Sequence, residues 1–159
     1  MAEQASIKEI YITDAAAKPM VTVDSVLALA DRGLEGDRYC LGNGFYSDKE
    51  GWGANVTLIQ SEAIDGVNVG HSTDFTGAML RRNLVTSGIK LNLLIGRDFR
   101  CGEAILHGTK PFPPCTHLAY LLGRSDVLKY FAYCSGIGAN VVSGGRIDVG
   151  DQIELLEEK

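Results

Sequence analysis

The stretch GTKPFPPCTHLAYLLG, residues 108–123, places one cysteine directly after Pro111, Pro113 and Pro114 and directly before an apolar run that stops at Gly123. Proline restricts φ and keeps the residue ahead of it extended, so the approach to Cys115 is stiff. The run THLAYLLG has a helical period, which puts Cys115 at the helix N-cap or just before it. Unpaired N–H groups and a partial positive charge at such an end favour the thiolate, the nucleophilic and metal-ligating form of a thiol. Position alone leaves two readings open. Cys115 is either a reactive sulfur held at a fixed place or a half-buried structural cysteine in a Pro-rich turn. His117 either acts as a base beside it or simply lies in the first helical turn.

A second group of polar residues is MLRRNLVTSG, residues 79–88. If the segment is a regular strand, neighbours point to opposite faces, and Arg81 shares a face with Asn83 while Arg82 faces away. A planar guanidinium suits a phosphate oxyanion, although solvated surface arginines would look the same in sequence. In RGLEGDRY, residues 32–39, Gly33 and Gly36 bracket a turn. Asp37 there reads as structural, pairing locally with Arg38, and Arg38 adds positive charge to a pocket.

The remaining candidates are weaker. Cys40, Cys101 and Cys134 show no C-x-x-C spacing with each other or with Cys115, so neither a disulfide framework nor a tetrahedral zinc site is indicated. Cys101 shares a strand face with Phe99 and reads as a core residue. His71, His107 and His117 lack ligand spacing. There is no G-x-S-x-G elbow, no P-loop and no complete dinucleotide fingerprint.

The elements that must position these groups are mostly short strands. Residues 6–13, 20–29, 55–60, 83–88 and 98–110 read as strand segments, the last as a bent pair around Gly102. The tail from 139 onward holds two more. Helical period appears at 61–65, capped by Ser61, at 117–123, and at 126–133, capped by Ser125. The 19 glycines lie mostly between these segments. This pattern predicts a mainly β fold, a closed or nearly closed antiparallel β-barrel with a few short helices. YCLGNGFYSDKEGWG, residues 39–53, has neither period and reads as a binding loop, a lid or a disordered loop.

The chain has 159 residues, 45% hydrophobic and 22% charged, enough for one domain with its own core. Its net charge of −5 argues against a nucleic-acid surface. No apolar run reaches membrane-spanning length, and the N-terminus lacks a signal-peptide pattern, so a cytoplasmic protein is expected.

The pieces GLEGDRY (33–39), VTLIQSEAI (56–64), RRNLVTSGI (81–89), LIGRDFRCGEAILHGT (94–109), PPCTHL (113–118) and GGRIDVGDQIEL (144–155) occur in the order seen in MOSC domains, named for the C-terminal domain of molybdenum-cofactor sulfurases. The chain resembles a small stand-alone bacterial member over nearly its whole length, a single domain spanning 1–159. The resemblance implies a role for Cys115. In sulfurase-type members the matching cysteine handles sulfur, as a persulfide or at the molybdenum cofactor. In amidoxime-reducing relatives it is a molybdenum ligand. The family's R-x-N element falls on Arg81 and Asn83 and would hold the anionic pterin. Arg82, its middle residue, need not point inward, but it counts with Arg38 among the candidate cofactor-binding residues.

The function so implied is a molybdenum-cofactor-linked sulfur carrier or sulfurtransferase. The alternatives are a molybdenum-dependent reductase component acting on N-hydroxylated compounds, and a non-catalytic module that binds the cofactor. The sequence shows neither the aminotransferase-like domain of full-length sulfurases nor the N-terminal β-barrel region of the amidoxime reductases. No flavin or haem site is evident. A partner is therefore expected: a cysteine desulfurase, which would bring the pyridoxal phosphate, a molybdoenzyme, or an electron-donor protein.

Overall fold

The computed structural model describes residues 4–47 and 53–157. Alternation in the sequence becomes eight strands in one sheet: β1 (Ser6–Ile12), β2 (Val21–Val23), β5 (Val56–Gln60), β6 (Leu84–Ser87), β7 (Asp98–Cys101), β8 (Ala104–Pro111), β9 (Ile137–Ser143) and β11 (Ile153–Leu155). Their order is β11-β7-β8-β9-β5-β6-β1-β2. A smaller sheet holds β3 (Ser25–Leu29), β4 (Gly33–Leu34) and β10 (Gly145–Asp148), in the order β10-β3-β4. The stretch 20–29 is thus two strands in different sheets, divided at Asp24, whose carbonyl accepts from Val149 N at 2.9 Å. The tail from 137 onward holds three strands rather than two.

The expected closed or nearly closed antiparallel barrel holds in its β content, with one pairing that is not antiparallel and no closure by hydrogen bonds shown among the described residues. The pair β5–β6 is parallel, joined by α2 (Ser61–His71), because parallel neighbours need a crossover element. The large sheet curls until Ser6 bridges Gln152, with Ile7 N donating to Asp151 O at 2.9 Å. No continuous ladder closes the ring among the described residues. The fold is mainly β with a few short helices.

Inside the curl lies one core cluster, including Ile10, Leu58, Leu84, Phe99, Leu106 and Ile137. The opposite face of β1, β5 and β6 presents Tyr11, Ile59 and Val85 to a second cluster. That cluster is covered by α2, α3 (Gly77–Leu80), α4 (Thr116–Leu122) and α5 (Asp126–Tyr130). Helix α2 runs well past the expected residue 65, since Ile64 and Val67 both bury toward this cluster. Its N-cap is Gln60, and Ser61 Oγ bonds Glu62 rather than the helix end. Ser125 does occupy the N-cap of α5 but makes no side-chain cap bond. The loop 39–53 begins within one helical turn, α1 (Arg38–Leu41), and residues 48–52 lie outside the described residues. No helix among the described residues is long and apolar enough to cross a membrane.

Candidate functional site

Strand β8 delivers the chain to the site. Its last residue, Pro111, pairs with Ile137, and Phe112 N donates to Gly136 O at 2.9 Å. Gly136 sits at φ +93°, and a Cβ there would run into the Leu58 carbonyl, so only glycine lets the two strands approach this closely. The chain then stays extended to Cys115, at φ −118° and ψ 167°, which occupies the N-cap of α4 as its position in the sequence predicts. The thiol is half-buried and makes no cap bond to the helix. Its partner is instead the Tyr46 side chain, which hydrogen-bonds to it.

The two arginines have opposite fates, and neither lies in a strand. Helix α3 ends at Arg81 in the left-handed region, φ 59°. Arg81 is the more exposed of the two. Its Nη1 donates to Lys18 O at 2.6 Å, while its Nη2 is buried without a hydrogen-bond partner among the described residues. Arg82 is buried, and its guanidinium holds the backbone around the cysteine. Nε donates to Ser135 O (2.9 Å), and Nη2 donates to Phe112 O (2.7 Å) and Ser135 Oγ (2.6 Å).

Asn83 does not join them in a pocket. Fully buried, its amide donates to Tyr11 O (3.0 Å) and Asp37 Oδ1 (3.2 Å) and accepts from Thr57 N (3.0 Å) and Thr57 Oγ1 (3.2 Å). All its hydrogen-bonding capacity is used inside the fold. The regular strand that would have aligned Asn83 with Arg81 begins only at Leu84, and the left-handed turn at Arg81 rotates the two side chains apart.

Asp37 links this knot to Arg38. Its Oδ1 accepts from Arg38 Nη1 (3.1 Å), Asn83 Nδ2 (3.2 Å) and Thr13 N (3.2 Å). Arg38 Nη2 reaches back to Arg81 O at 3.2 Å. The segment GDR therefore clamps the segment RRN, with Asp37 structural and Arg38 at the pocket wall.

Arg38, Arg81, Arg82, Cys115 and His117 all line one open cleft of about 250 Å³. Lys110 adds a fourth cation. Phe45, Tyr46, Tyr39 and Phe112 supply aromatic walls, and no carboxylate is among the described lining residues. A cleft lined by one sign of charge attracts the opposite sign. Burial brings the Arg82 guanidinium down to about 10, so it stays protonated at neutral pH. Burial, then the neighbouring Arg38, lowers Arg81 from its ordinary value. Burial, then Arg81, lowers His117, whose ring stacks on Phe45 with centroids 3.7 Å apart. Burial pushes Tyr46 up to about 12, helped by its bond to Cys115, so its hydroxyl keeps its proton throughout the physiological range.

The other cysteines and histidines lie elsewhere. Cys101 is in the core, where burial pushes its thiol up to about 12. Cys134 bonds Tyr130 O at 3.6 Å. His71 stacks on Tyr130, and His107 bonds Asp98 at 2.7 Å on the surface. Residue patterns alone did not single out Tyr39, Tyr46 or Lys110. The only signal was the density of aromatics in the loop 39–53.

Residues 46–154 match the MOSC domain. The chain belongs to the MOSC domain family. This family is related to the molybdenum-cofactor sulfurases and is linked to that cofactor. The MOSC match contains Tyr46, Arg81, Arg82, Lys110 and Cys115, while Arg38 lies ahead of it. Over 85 residues, 52% of this chain, the sequence is 28% identical to Protein YiiM of Escherichia coli (strain K12). That stretch is 38% of YiiM, so this chain matches well under half the length of that relative. The fold is shared with the crystal structure of the YUAD protein from Bacillus subtilis (TM-score 0.78, 16% identity, 100% of this chain and 99% of that one). It is also shared with YiiM from Geobacillus stearothermophilus (TM-score 0.70, 19% identity, 96% and 75%).

Proposed function

We propose that this MOSC domain carries sulfur on Cys115 for the molybdenum cofactor, with Arg81 receiving an anionic part of that cofactor and Arg38 and Arg82 adding charge behind it. The observation that supports the reading is the meeting, in one cleft, of the half-buried Cys115 thiol with the Arg81 side chain, whose Nη2 has no hydrogen-bond partner among the described residues. Sulfur is loaded by thiolate attack on the terminal sulfur of a partner's persulfide. The Cys115 Sγ–S bond forms, the partner's S–S bond breaks, and the electron pair leaves on the partner's thiolate. Tyr46 holds the receiving sulfur by its hydroxyl. A cysteine desulfurase is the natural partner, and a reducing cytoplasm keeps the four cysteines free.

The lining also fits the cofactor itself. Cys115 is a soft donor suited to molybdenum, Arg81 Nη2 awaits an acceptor, and the aromatic walls suit a flat heterocycle. When bound, the cofactor would supply two-electron redox chemistry at the metal. This chain's part would be to bind its anionic end and to present Cys115.

The test is mass spectrometry of protein purified without reductant and then incubated with a cysteine desulfurase and cysteine. One added sulfur on Cys115, absent from Cys115→Ser, is the expected result. No added sulfur would overturn the carrier reading.

A second reading is a reductase component for N-hydroxylated compounds, fed by an electron-donor protein. It draws on the Cys115 sulfur making no cap bond, so that beside the Tyr46 hydrogen bond it keeps lone pairs for a metal. It requires stoichiometric molybdenum after expression in a cofactor-competent host, and loss of that metal in Cys115→Ser. Bound cofactor with neither sulfur loading nor turnover would instead indicate a binding module.

A further inference from the structure

The cleft holds more positive charge than a thiol-to-thiol relay needs. Arg38, Arg81, Arg82 and Lys110 line it, and no carboxylate is among the described lining residues. Arg38 is already paired with Asp37, and Arg82 is committed to backbone carbonyls and a hydroxyl. Arg81 is different, because its Nη2 is buried and has no acceptor among the described residues. A buried donor left without a partner is costly, which makes a ligand oxygen at this point favourable. The space is small and open on one side, and the sulfur of Cys115 lies in the same wall system.

We infer that this cleft takes the inorganic thiosulfate dianion, and that Cys115 draws its sulfur from that anion. The inference rests on the reading of Cys115 as a sulfur carrier and names a donor for it. The Cys115 thiol first gives its proton to water. Its thiolate then attacks the outer sulfur of thiosulfate, the Sγ–S bond forms, and the bond to the sulfonate sulfur breaks. The electron pair leaves on sulfite, so the exchange needs no external oxidant or reductant. Negative charge gathers on the departing sulfite oxygens, where Arg81 and the neighbouring cations stabilise it. Tyr46 donates its hydrogen bond to sulfur at Cys115 throughout.

The experiment compares three donors on the full chain: thiosulfate, a neutral organic trisulfide, and a cysteine desulfurase with cysteine. The readouts are the mass of Cys115 and the sulfite released. Thiosulfate is expected to add one sulfur and release one sulfite per chain. Added sulfate should slow loading from thiosulfate and leave loading from the trisulfide unchanged. Arg81→Gln should lower the thiosulfate-to-trisulfide rate ratio by about tenfold, the scale of one charge-assisted hydrogen bond, and Arg81→Lys should recover part of it. Loading by the desulfurase but not by thiosulfate would overturn this inference and leave the carrier reading intact. Loading by no donor would overturn both. A ratio unchanged by sulfate and by Arg81→Gln would show that the cleft does not recognise the anion.

Discussion

Arg82 holds Phe112 by two contacts at once: Nη2 donates to the Phe112 carbonyl at 2.7 Å, and Cζ lies 4.6 Å from the centre of the Phe112 ring. Phe112 precedes Pro113, Pro114 and Cys115 directly. The stiff approach seen in the sequence is therefore anchored at its far end by a buried cation, and the prolines transmit that anchorage to the sulfur.

Replacing Arg82 by methionine should unfold the protein more easily. The carbonyls of Leu80, Phe112 and Ser135 and the Ser135 hydroxyl would lose their partner within the fold, and the expected loss is about 3 kcal/mol. Urea denaturation measures it. A loss below about 1 kcal/mol would show that Arg82 is not the anchor described, since even one such hydrogen bond is worth that much.

Asn83 lies outside the cleft, so Asn83→Ala should act on stability and not on ligand affinity. Thr57 N, Tyr11 O and Asp37 Oδ1 would each lose a bond, at a combined cost of roughly 2 kcal/mol. Sulfate affinity of the folded variant should match the parent. A variant of full stability with weakened anion binding would put Asn83 back among the binding residues.

Alkaline titration should separate Tyr46 from ordinary tyrosines. Phenols usually ionise near 10, whereas Tyr46 is held up to about 12 by burial and by its bond to Cys115. The folded state thus keeps a proton that the unfolded state releases between those values. The contribution of this group to stability is present below about 10 and is lost as pH rises toward 12. Ultraviolet absorbance of the parent and of Tyr46→Phe should differ by one late-ionising step. A missing step near 10 rather than near 12 would remove the Tyr46–Cys115 contact from the account.

His117 should titrate below the usual 6.5 for histidine, because burial and then Arg81 disfavour its charged form. Proton binding is then tighter in the unfolded state, so stability from this group falls as pH drops through the unfolded value. Proton NMR of the ring gives the midpoint. Arg81→Gln should move it upward, and a midpoint that ignores Arg81 would mean that the two side chains do not share the cleft.

The β content, the hairpin at Gly102, the end of α4 at Gly123 and the place of Cys115 were all legible in local period and punctuation. So was the pairing of Asp37 with Arg38, which are adjacent in the chain. What could not be read locally depended on distant partners. The parallel pairing of β5 with β6 leaves no mark in either strand. Asn83 counted as a binding residue through the family's R-x-N element, and strand alternation would have set it beside Arg81. A single left-handed residue before the strand cancels that alternation. Tyr46 reaches Cys115 from far away in the sequence, and no spacing rule joins a residue in a glycine-rich loop to a cysteine beyond the eighth strand.

The left-handed backbone of Arg81 carries an evolutionary consequence. That conformation costs a side-chain-bearing residue roughly 1 kcal/mol relative to glycine, so glycine would be the easy occupant of position 81. A search that selects this protein for thermal tolerance alone should find substitutions to glycine there. Each such gain in robustness would remove the guanidinium with the unpaired nitrogen. Position 81 is thus a place where selection for endurance and selection for activity pull in opposite directions.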